Sequence, residues 1–387
     1  MGVVIDYTSG FFEAAPTGET VGSISGNATL DLTSGNVFSH TPTANTTFAF
    51  SNPPASGTGY DFTLKVTGAN VASGYDLANA SYDNKDLSPS EDNGIYDMAF
   101  KPDGTKLYIS GGQNQKVYQY SVSTPFDIST TSYDNKSFVT TSQSVLPTGV
   151  AFKSDGTRMF VLDFSNKGVF QYNLSTAWDV STASYSNTSL TLTTGSNGFD
   201  LDFSTDGTKF IVTWRGSGSK VVLYNMSTAW DISTASFGSE TGNLSSQITS
   251  NFPTSGTLNA NGTRLFVADY STGDIYQYSL STAFDLSTAS YDSVSFRITT
   301  AFTNPSKKSL SFSPDGTKMY SIAAPSRITQ YTTGSSGLAT ITYPSSVKWA
   351  GGTAPTAPAS GETDVYSFFT TDGGTNYYGF QAGDALA

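Results

Sequence analysis

FKPDGTKLY, residues 100–108, recurs four more times along the chain, as FKSDGTRMF (152–160), FSTDGTKF (203–210), LNANGTRLF (258–266) and FSPDGTKMY (312–320). The copies are spaced by about fifty residues, a period typical of repeat architectures in which each copy is one supersecondary unit. In each copy an apolar run precedes an Asp-Gly or Asn-Gly pair, and a β-prone run follows it. Such a pair is the strongest short-range signal of a β-hairpin. Each copy therefore predicts two antiparallel strands joined at its glycine.

A second phrase follows each of the first four copies. Strands that end in tyrosine, such as IYQYS (275–279), run into STPFDISTTSY (123–133), STAWDVSTASY (175–185), STAWDISTASF (227–237) and STAFDLSTASY (281–291). The Ser/Thr-rich flanks can cap a single helical turn. We expect the shared aromatic residue to pack against its own or the neighbouring unit, with sugar stacking as the alternative; it is Phe126, Trp178, Trp230 or Phe284.

The two phrases together predict four antiparallel strands per unit, which is the composition of a β-propeller blade. The ends of the array are offset. The fourth-strand phrase appears early, as DLANASYDNKDLS (76–88), while the last unit stops at RITQY (327–331) without one. A ring closed by pairing the first strand with the last unit explains this offset, because closure removes free sheet edges. The sequence predicts a five-bladed β-propeller over residues 74–334.

Composition narrows the classes of function. The net charge of −12 disfavours nucleic acid as a partner, because phosphates would repel the chain. The absence of cysteine excludes disulfides and zinc-thiolate sites, and no cofactor is predicted. The N-terminal MGVVIDYTSG lacks the pattern of a signal peptide, and we expect no membrane insertion. Abundant Ser, Thr, Asn and Gly with 13% charged residues suit an extracellular or virion surface.

The segments that flank the propeller also predict β-structure. Residues 1–20 show no clear periodicity and are interpreted as an N-terminal arm, with an ordinary edge strand as the alternative. Residues 21–70 and 336–387 contain short strands bounded by Gly, Pro or Asn, as in a small sandwich or barrel. We predict one all-β domain made of both segments, with the propeller inserted into one of its loops. Two separate small domains are the alternative.

Both flanking segments carry recognisable motifs. TLDLTSGNVFSHTPTANTTFAFSNPPASGTGYDFTLKVTG (29–68), ATITYPSSVKWAGGTAPTAP (339–358) and DVYSFFTTDGGTNYYGF (364–380) resemble a module of structural and tail-fibre proteins of tailed phages that infect aquatic bacteria. In that family the second run normally follows soon after the FTLKV strand, in agreement with an insertion. The DGT repeats resemble lactonase-like and surface-layer propeller repeats, a likeness that specifies fold better than function.

The phage resemblance implies a virion protein on the outer surface of the particle, as a fibre, spike or head decoration. It also implies a homo-oligomer, with a trimer favoured, that contacts other virion proteins. The propeller would face outwards and bind a host surface glycan or protein. A purely structural decoration of the capsid or tail is the alternative within the same class.

Comparison of the repeats indicates where binding would occur. The loops at one end of the blades are near-copies, whereas those at the other end differ from blade to blade, and divergent loops on a rigid scaffold are the usual binding surface. The candidate binding residues in these divergent loops are Glu91, Asp92, Trp214, Arg215, Phe252 and Tyr270. Aromatic rings can stack on sugars and acids can hold hydroxyl groups; the alternative is that these residues only solvate the surface.

Four acids are candidates for the central channel: Asp97 and Asp200 stand just before the predicted inner strands, and Asp163 and Asp269 follow the second strand. They could bind a cation, or they could supply the two carboxyl groups of a glycoside hydrolase. The one histidine, His40, lies outside the propeller and rules out a Ser-His triad in the ring. No carboxylate falls in a recognisable hydrolase motif, so we predict a non-enzymatic protein with a propeller glycoside hydrolase as the alternative.

Overall fold

A computed structural model of the chain describes residues 3–5, 12–14, 24–25, 28–42, 45–193, 197–215, 220–242, 244, 246–248, 252–298, 307–323 and 326–386. The chain divides into two compact units, residues 1–73 with 336–387 and residues 74–335. The first unit is discontinuous, and the second lies within it in the sequence.

The N-terminal segment of the first unit contributes nine strands among its described residues: β1 (Val3–Ile5), β2 (Phe12–Ala14), β3 (Ile24–Ser25), β4 (Thr29–Asp31), β5 (Val37–His40), β6 (Thr46–Thr47), β7 (Ala49–Ser51), β8 (Tyr60–Thr67) and β9 (Asn70–Ser73). Within the predicted arm, β1 and β2 pair as an antiparallel two-stranded sheet. The remainder of residues 1–20, including Phe11, lies outside the described residues.

The second unit consists of five four-stranded antiparallel sheets, numbered here as blades 1 to 5. Blade 1 contains β11 (Ile95–Phe100), β12 (Lys106–Gly111), β13 (Lys116–Val122) and β14 (Thr131–Val139), and blade 2 contains β15 (Pro147–Phe152), β16 (Arg158–Asp163), β17 (Gly168–Leu174) and β18 (Ala183–Thr191). Blade 3 contains β19 (Asn197–Phe203), β20 (Lys209–Arg215), β21 (Lys220–Met226) and β22 (Ala235–Glu240), and blade 4 contains β23 (Pro253–Leu258), β24 (Arg264–Asp269), β25 (Asp274–Leu280) and β26 (Ala289–Arg297). Blade 5 contains β10 (Ser81–Leu87), which is the first of these strands in the chain, together with β27 (Lys307–Phe312), β28 (Lys318–Ala323) and β29 (Arg327–Thr332).

The ring closes as the offset in the sequence predicts. Strand β10 comes before all the other blade strands in the chain, yet it pairs antiparallel with β29, with Ser81 opposite Thr332 and Leu87 opposite Ile328. Blade 5 therefore contains strands from both ends of the unit. The first strands of the blades, β11, β15, β19, β23 and β27, lie beside one another around the axis. The prediction of an all-β fold with a five-bladed propeller is confirmed.

Each DGT phrase forms the turn between the first two strands of its blade, and its glycine has a positive φ of 67–75°. The preceding Asp or Asn keeps an ordinary φ and accepts a hydrogen bond from the next threonine, as in Asp103 with Thr105 N (3.0 Å). A Cβ on each glycine would lie within 2.1–2.4 Å of an aromatic ring. Glycine is required here both by the left-handed backbone and by the ring above it.

Those rings are the shared aromatic residues of the second phrase, so the prediction that they pack against their own or the neighbouring unit is confirmed. Phe126, Trp178, Trp230 and Phe284 cover the glycines of blades 1 to 4, and Tyr75 takes the same place in blade 5. Every one of them has a φ of 60–65°, which is uncommon for a residue with a side chain. The aspartate after each ring caps a 3-10 helix; the 3-10 helices of this unit are Leu77–Asn79, Ile128–Thr130, Val180–Thr182, Ile232–Thr234 and Leu286–Thr288.

The same segments connect neighbouring blades. The Tyr320 hydroxyl donates to the Phe126 carbonyl (2.6 Å), and the Tyr108 hydroxyl donates to the Trp178 carbonyl (2.7 Å). Arginines do so at two further junctions, Arg158 to Trp230 O and Arg264 to Tyr75 O. Five apolar clusters fill the spaces between consecutive blades, and each combines side chains from the second and third strands of one blade with those of the next.

The C-terminal segment completes the first unit with β30 (Ser335–Leu338), β31 (Ile341–Thr342), β32 (Val347–Trp349), β33 (Thr363–Thr370) and β34 (Tyr377–Leu386), and with a 3-10 helix at Ala350–Gly352. Strands β32, β34, β33, β8 and β5 form one sheet in that order. Within it β33 and β8 pair antiparallel from Thr363–Thr67 to Thr370–Tyr60, so the two segments share a sheet. Phe62, Phe368 and Leu30 belong to one core with side chains of both segments.

The turn glycines provide a test of the packing. In Gly207→Ala the new Cβ would lie 2.1 Å from the Trp230 ring at a φ of +67°, so we expect a loss of at least about 2 kcal/mol in the free energy of unfolding. Gly242→Ala is the matched control, because nothing lies within 4 Å of its Cβ, and it should change stability by less than about 0.5 kcal/mol. Denaturant titration measures both. Equal stability of the two variants would contradict the packing described.

Candidate functional site

The propeller axis has two distinct ends. We call the end that carries the DGT turns the turn face. The opposite end, where the chain enters the first strand of each blade and leaves the second, is called the entry face. A register shift interrupts the pairing near the entry-face end of every first strand. One residue near this shift occupies the same position in every blade, three residues before the start of the DGT phrase. In blades 1 to 5 it is Asp97, Gly149, Asp200, Ser255 and Ser309.

Hydrogen bonds at this position link all five blades around the axis. Asp97 of blade 1 accepts from Val150 N of blade 2 (2.7 Å) and from Ser309 Oγ of blade 5 (2.6 Å). Between blades 2 and 3, Thr148 Oγ1 donates to Gly198 O. Between blades 3 and 4, Ser255 Oγ and Gly256 N donate to the Asp200 carboxyl group. Between blades 4 and 5, Leu310 N donates to Ser255 Oγ. We call this set the axial ring.

Burial dominates the electrostatics of the axial ring. Asp97 is 2% exposed and Asp200 is 3% exposed. Burial raises the pKa of Asp97, and burial together with repulsion from Asp97 raises the pKa of Asp200. Next to them Asp202, which accepts a hydrogen bond from Thr257 Oγ1 (2.7 Å), has its pKa raised to about 6, again mainly by burial. A buried pair of carboxyl groups of this kind retains protons that ordinary aspartates release.

A cavity of about 350 Å³ occupies the turn-face end of the axis. The axial carboxyl groups line its inner end, and Phe100, Phe152, Phe203 and Phe312 line its wall. Among the residues that the structure describes, no group of three or more Asp, Glu or His side chains could hold a metal ion. The cavity is large enough for a small ligand, yet the oxygens of Asp97 already accept hydrogen bonds from neighbouring strands.

The structure corrects the prediction that all four acids line the channel. Asp97 and Asp200 do so, but Asp163 and Asp269 end the second strands of blades 2 and 4 at the entry face. Asp163 is fully buried and accepts from Ser144 Oγ (2.6 Å) and Leu146 N (2.9 Å). Asp269 accepts from Ser271 N (2.8 Å). These two carboxylates brace loops of the entry face instead of facing the axis.

Two further expectations about the entry face are wrong. Asp92 is 2% exposed and accepts from Gly94 N and Asn114 N, so it holds its loop on blade 1 and is not available to surface ligands. Trp214 is also 2% exposed, because its ring lies in the apolar cluster between blades 2 and 3. The partly exposed Glu91 carboxylate accepts a hydrogen bond from the Tyr120 hydroxyl (2.7 Å).

The structure does bring together the other three candidates. The Arg215 guanidinium carbon lies 4.2 Å from the centre of the Phe252 ring and 5.1 Å from that of Tyr270. Arg215 ends β20 of blade 3, whereas Phe252 and Tyr270 flank the first two strands of blade 4. Tyr270 N donates to Phe252 O (3.0 Å), which fixes these two loop residues relative to each other.

Three aromatic residues that the sequence did not single out extend this group. The Phe199 ring centre is 5.2 Å from the Arg215 guanidinium carbon. Phe199 in turn contacts Tyr96 (ring centres 6.1 Å apart) and Phe164 (5.5 Å). Burial and the nearby Tyr270 raise the pKa of Tyr96, while the Arg215 cation opposes this shift. We call Arg215 with Tyr96, Phe164, Phe199, Phe252 and Tyr270 the entry-face cluster. Tyr96 and Phe199 each precede an axial aspartate, a spacing that could have identified them.

No protein-family model matches the chain, and no curated protein matches it by sequence. Solved structures similar to it include a candidate 6-phosphogluconolactonase from Bacteroides uniformis, at 13% identity and a TM-score of 0.39 over 58% of this chain and 62% of that one. Another is the β-propeller domain of Cps50 (Swd1) from Myceliophteria thermophila, at 10% identity and a TM-score of 0.37 over 63% of this chain and 65% of that one. The chain thus covers less than two thirds of either structure, and likeness at this level carries no argument about activity. No helix in the described part of the chain is long and apolar enough to cross a membrane.

The axial ring makes stability depend on pH. Since Asp97 and Asp200 have raised pKa values in the native state, the native state binds more protons than the unfolded chain above about pH 4, and the free energy of unfolding should fall as the pH rises towards 7. Asp200→Ser installs the residue that blades 4 and 5 carry at this position. We expect it to flatten that dependence by up to about 1.4 kcal/mol per pH unit, which corresponds to one proton.

Denaturant titrations between pH 4 and 7 measure the effect. Thr148→Ala is a control that removes a non-titrating side chain of the axial ring, so it should lower stability while its pH dependence stays close to that of the wild type. Parallel curves for Asp200→Ser and wild type would contradict the protonation of the axial pair.

Proposed function

We propose that this chain is a bacteriophage virion protein whose propeller attaches the particle to its host by binding a surface glycan at the entry face. The observation that carries the proposal is the convergence of Arg215, Phe252 and Tyr270, three residues from separate segments, with Phe199 at one end of the axis. Aromatic faces beside a polar group are suited to sugars, which present both C–H faces and hydroxyl groups.

The geometry of the blades supports a binding role for this end. The turn face repeats the same Gly–aromatic contact in all five blades, so its residues are explained by packing. The entry face varies among the blades: the second strand ends in Gly111, Arg215 or Ala323 in blades 1, 3 and 5, and in an aspartate in blades 2 and 4. Rigid strands that carry divergent ends are the arrangement in which binding specificity usually resides.

The virion context is supported by the resemblance of residues 29–68, 339–358 and 364–380 to modules of phage structural and tail-fibre proteins. A virion appendage would display the propeller on the particle surface as a homo-oligomer. Binding without catalysis is the version that we favour, because Asp97 and Asp200, the acids nearest the axis, are 2% and 3% exposed and hold neighbouring blades together. A glycosidase would need both carboxyl groups to reach the substrate.

Binding of the full-length chain to a bacterial glycan array and to host cells tests the proposal. Phe252→Ala should weaken binding at least about tenfold, since loss of a central aromatic contact costs about 2 kcal/mol. Phe237→Ala is the matched control, because Phe237 is 52% exposed, compared with 36% for Phe252, and lies on the outermost strand of blade 3. It should bind like the wild type.

Two results would count against attachment through this face. Equal binding by Phe252→Ala and wild type would remove the entry face from the interaction. Absence of any binding by a wild-type chain that still assembles into particles would favour a structural decoration.

A further inference from the structure

Arg215 differs from the other arginines of the chain in the groups it contacts. The other four each hold a protein oxygen: Arg158 binds Trp230 O, Arg264 binds Tyr75 O, Arg297 pairs with Asp274, and Arg327 pairs with Asp86. The Arg215 guanidinium instead contacts the rings of Phe199, Phe252 and Tyr270, and among the described residues no side chain or backbone oxygen forms an ion pair or hydrogen bond with it.

The acidic side chains of the entry face accept hydrogen bonds from groups other than Arg215. The Glu91 carboxylate accepts from Tyr120, Asp92 accepts from backbone amides, and Asp163 accepts from Ser144 and Leu146 N. The chain has 31 acidic and only 19 basic side chains, so carboxylates are plentiful as partners for a cation. In the described part of the chain, Arg215 is nevertheless held by aromatic rings and not by a carboxylate. The described residues therefore surround this guanidinium with aromatic rings and place no anion against it.

The chemistry of a guanidinium held in this way is specific. Stacking on aromatic rings uses the two faces of the planar group, while its five N–H donors point outwards in the plane. A planar fork of donors matches the two oxygens of a carboxylate, and it also binds sulfate or phosphate oxygens. The surrounding rings partly bury the guanidinium, and a less polar environment strengthens charge-assisted hydrogen bonds.

We infer that the entry-face cluster binds an acidic saccharide, with Arg215 holding the anionic group of the sugar and Phe252 contacting the sugar ring. This inference rests on the proposed glycan-binding function and adds the class of ligand. Arg215 is partly buried and Phe252 is 36% exposed, so the cation lies behind an exposed ring at the edge of the cluster. An anionic group that reaches Arg215 places the sugar to which it is attached beside that ring.

The test uses the full-length chain on an array of uronic-acid oligosaccharides, each present also as its neutral methyl ester, together with sulfated and unmodified galactans. Wild-type protein should bind acidic members at least tenfold more tightly than their neutral counterparts. Binding should weaken as NaCl is raised from 50 to 500 mM, because the contact is ionic. The comparison of uronates with sulfated galactans identifies which anion is preferred.

Three variants separate a binding role from a structural one. Arg215→Met keeps an unbranched chain against the rings and should lose the preference for acidic over neutral saccharides. Arg215→Lys keeps the charge without the planar fork and should retain part of the preference. Arg297→Met removes a surface arginine whose side chain is 62% exposed and should leave binding unchanged. Thermal unfolding of each variant checks that the fold is intact, and Arg215→Lys serves as the test variant if Arg215→Met does not fold.

The outcomes distinguish this inference from the function on which it rests. The acidic-ligand inference is overturned if the wild type binds esters as tightly as free acids, if folded Arg215→Met keeps the preference, or if Arg215→Lys keeps it in full. Loss of that binding in Phe252→Ala would still support attachment through the entry face. If no saccharide and no host cell is bound, both proposals are overturned.

Discussion

The buried carboxyl group of Asp97 joins three blades at the propeller axis, and one of them is the blade in which the ring closes. One oxygen accepts from Ser309 of blade 5 and the other from Val150 N of blade 2, although Asp97 belongs to blade 1. Blade 5 is the place where the two ends of the propeller meet, since it combines β10 with β27, β28 and β29. A buried carboxyl group is costly unless it is hydrogen-bonded. Here its donors come from the blades that must be held together.

Because buried contacts at the axis hold the blades together, the two ends of the ring differ in how far their residues can vary. At the turn face, packing of an aromatic ring on a left-handed glycine recurs five times and leaves little freedom for variation. At the entry face, the blades stabilise their loops in more than one way, with aspartates in blades 2 and 4 and the contacts of Arg215 in blade 3. The stability of the ring therefore does not depend on one loop sequence, which permits the entry face to specialise.

The number of blades and the closure could be predicted because both follow from repeated turn chemistry and from an offset in the repeats. The sequence could not, however, predict the surroundings of individual side chains at the ends of strands. Trp214 stands beside a Gly/Ser run and resembles a loop residue in sequence, yet β20 continues through Arg215 and directs the indole into the space between blades. The last residues of β16 and β24, Asp163 and Asp269, likewise brace loops and do not face the axis. Such directions depend on where a strand ends, which a single sequence does not specify.

The two strands that connect the units, β9 and β30, are neighbours in one small sheet. The chain thus leaves the first unit and returns to it at adjacent points, while the ring of the second unit closes through the pairing of β10 with β29. A gene segment that encodes residues 74–334 could consequently be exchanged by recombination without cutting into any strand of either unit. The insertion point therefore joins two units that each complete their own strand pairing, so either unit can change in sequence without a compensating change in the sheets of the other.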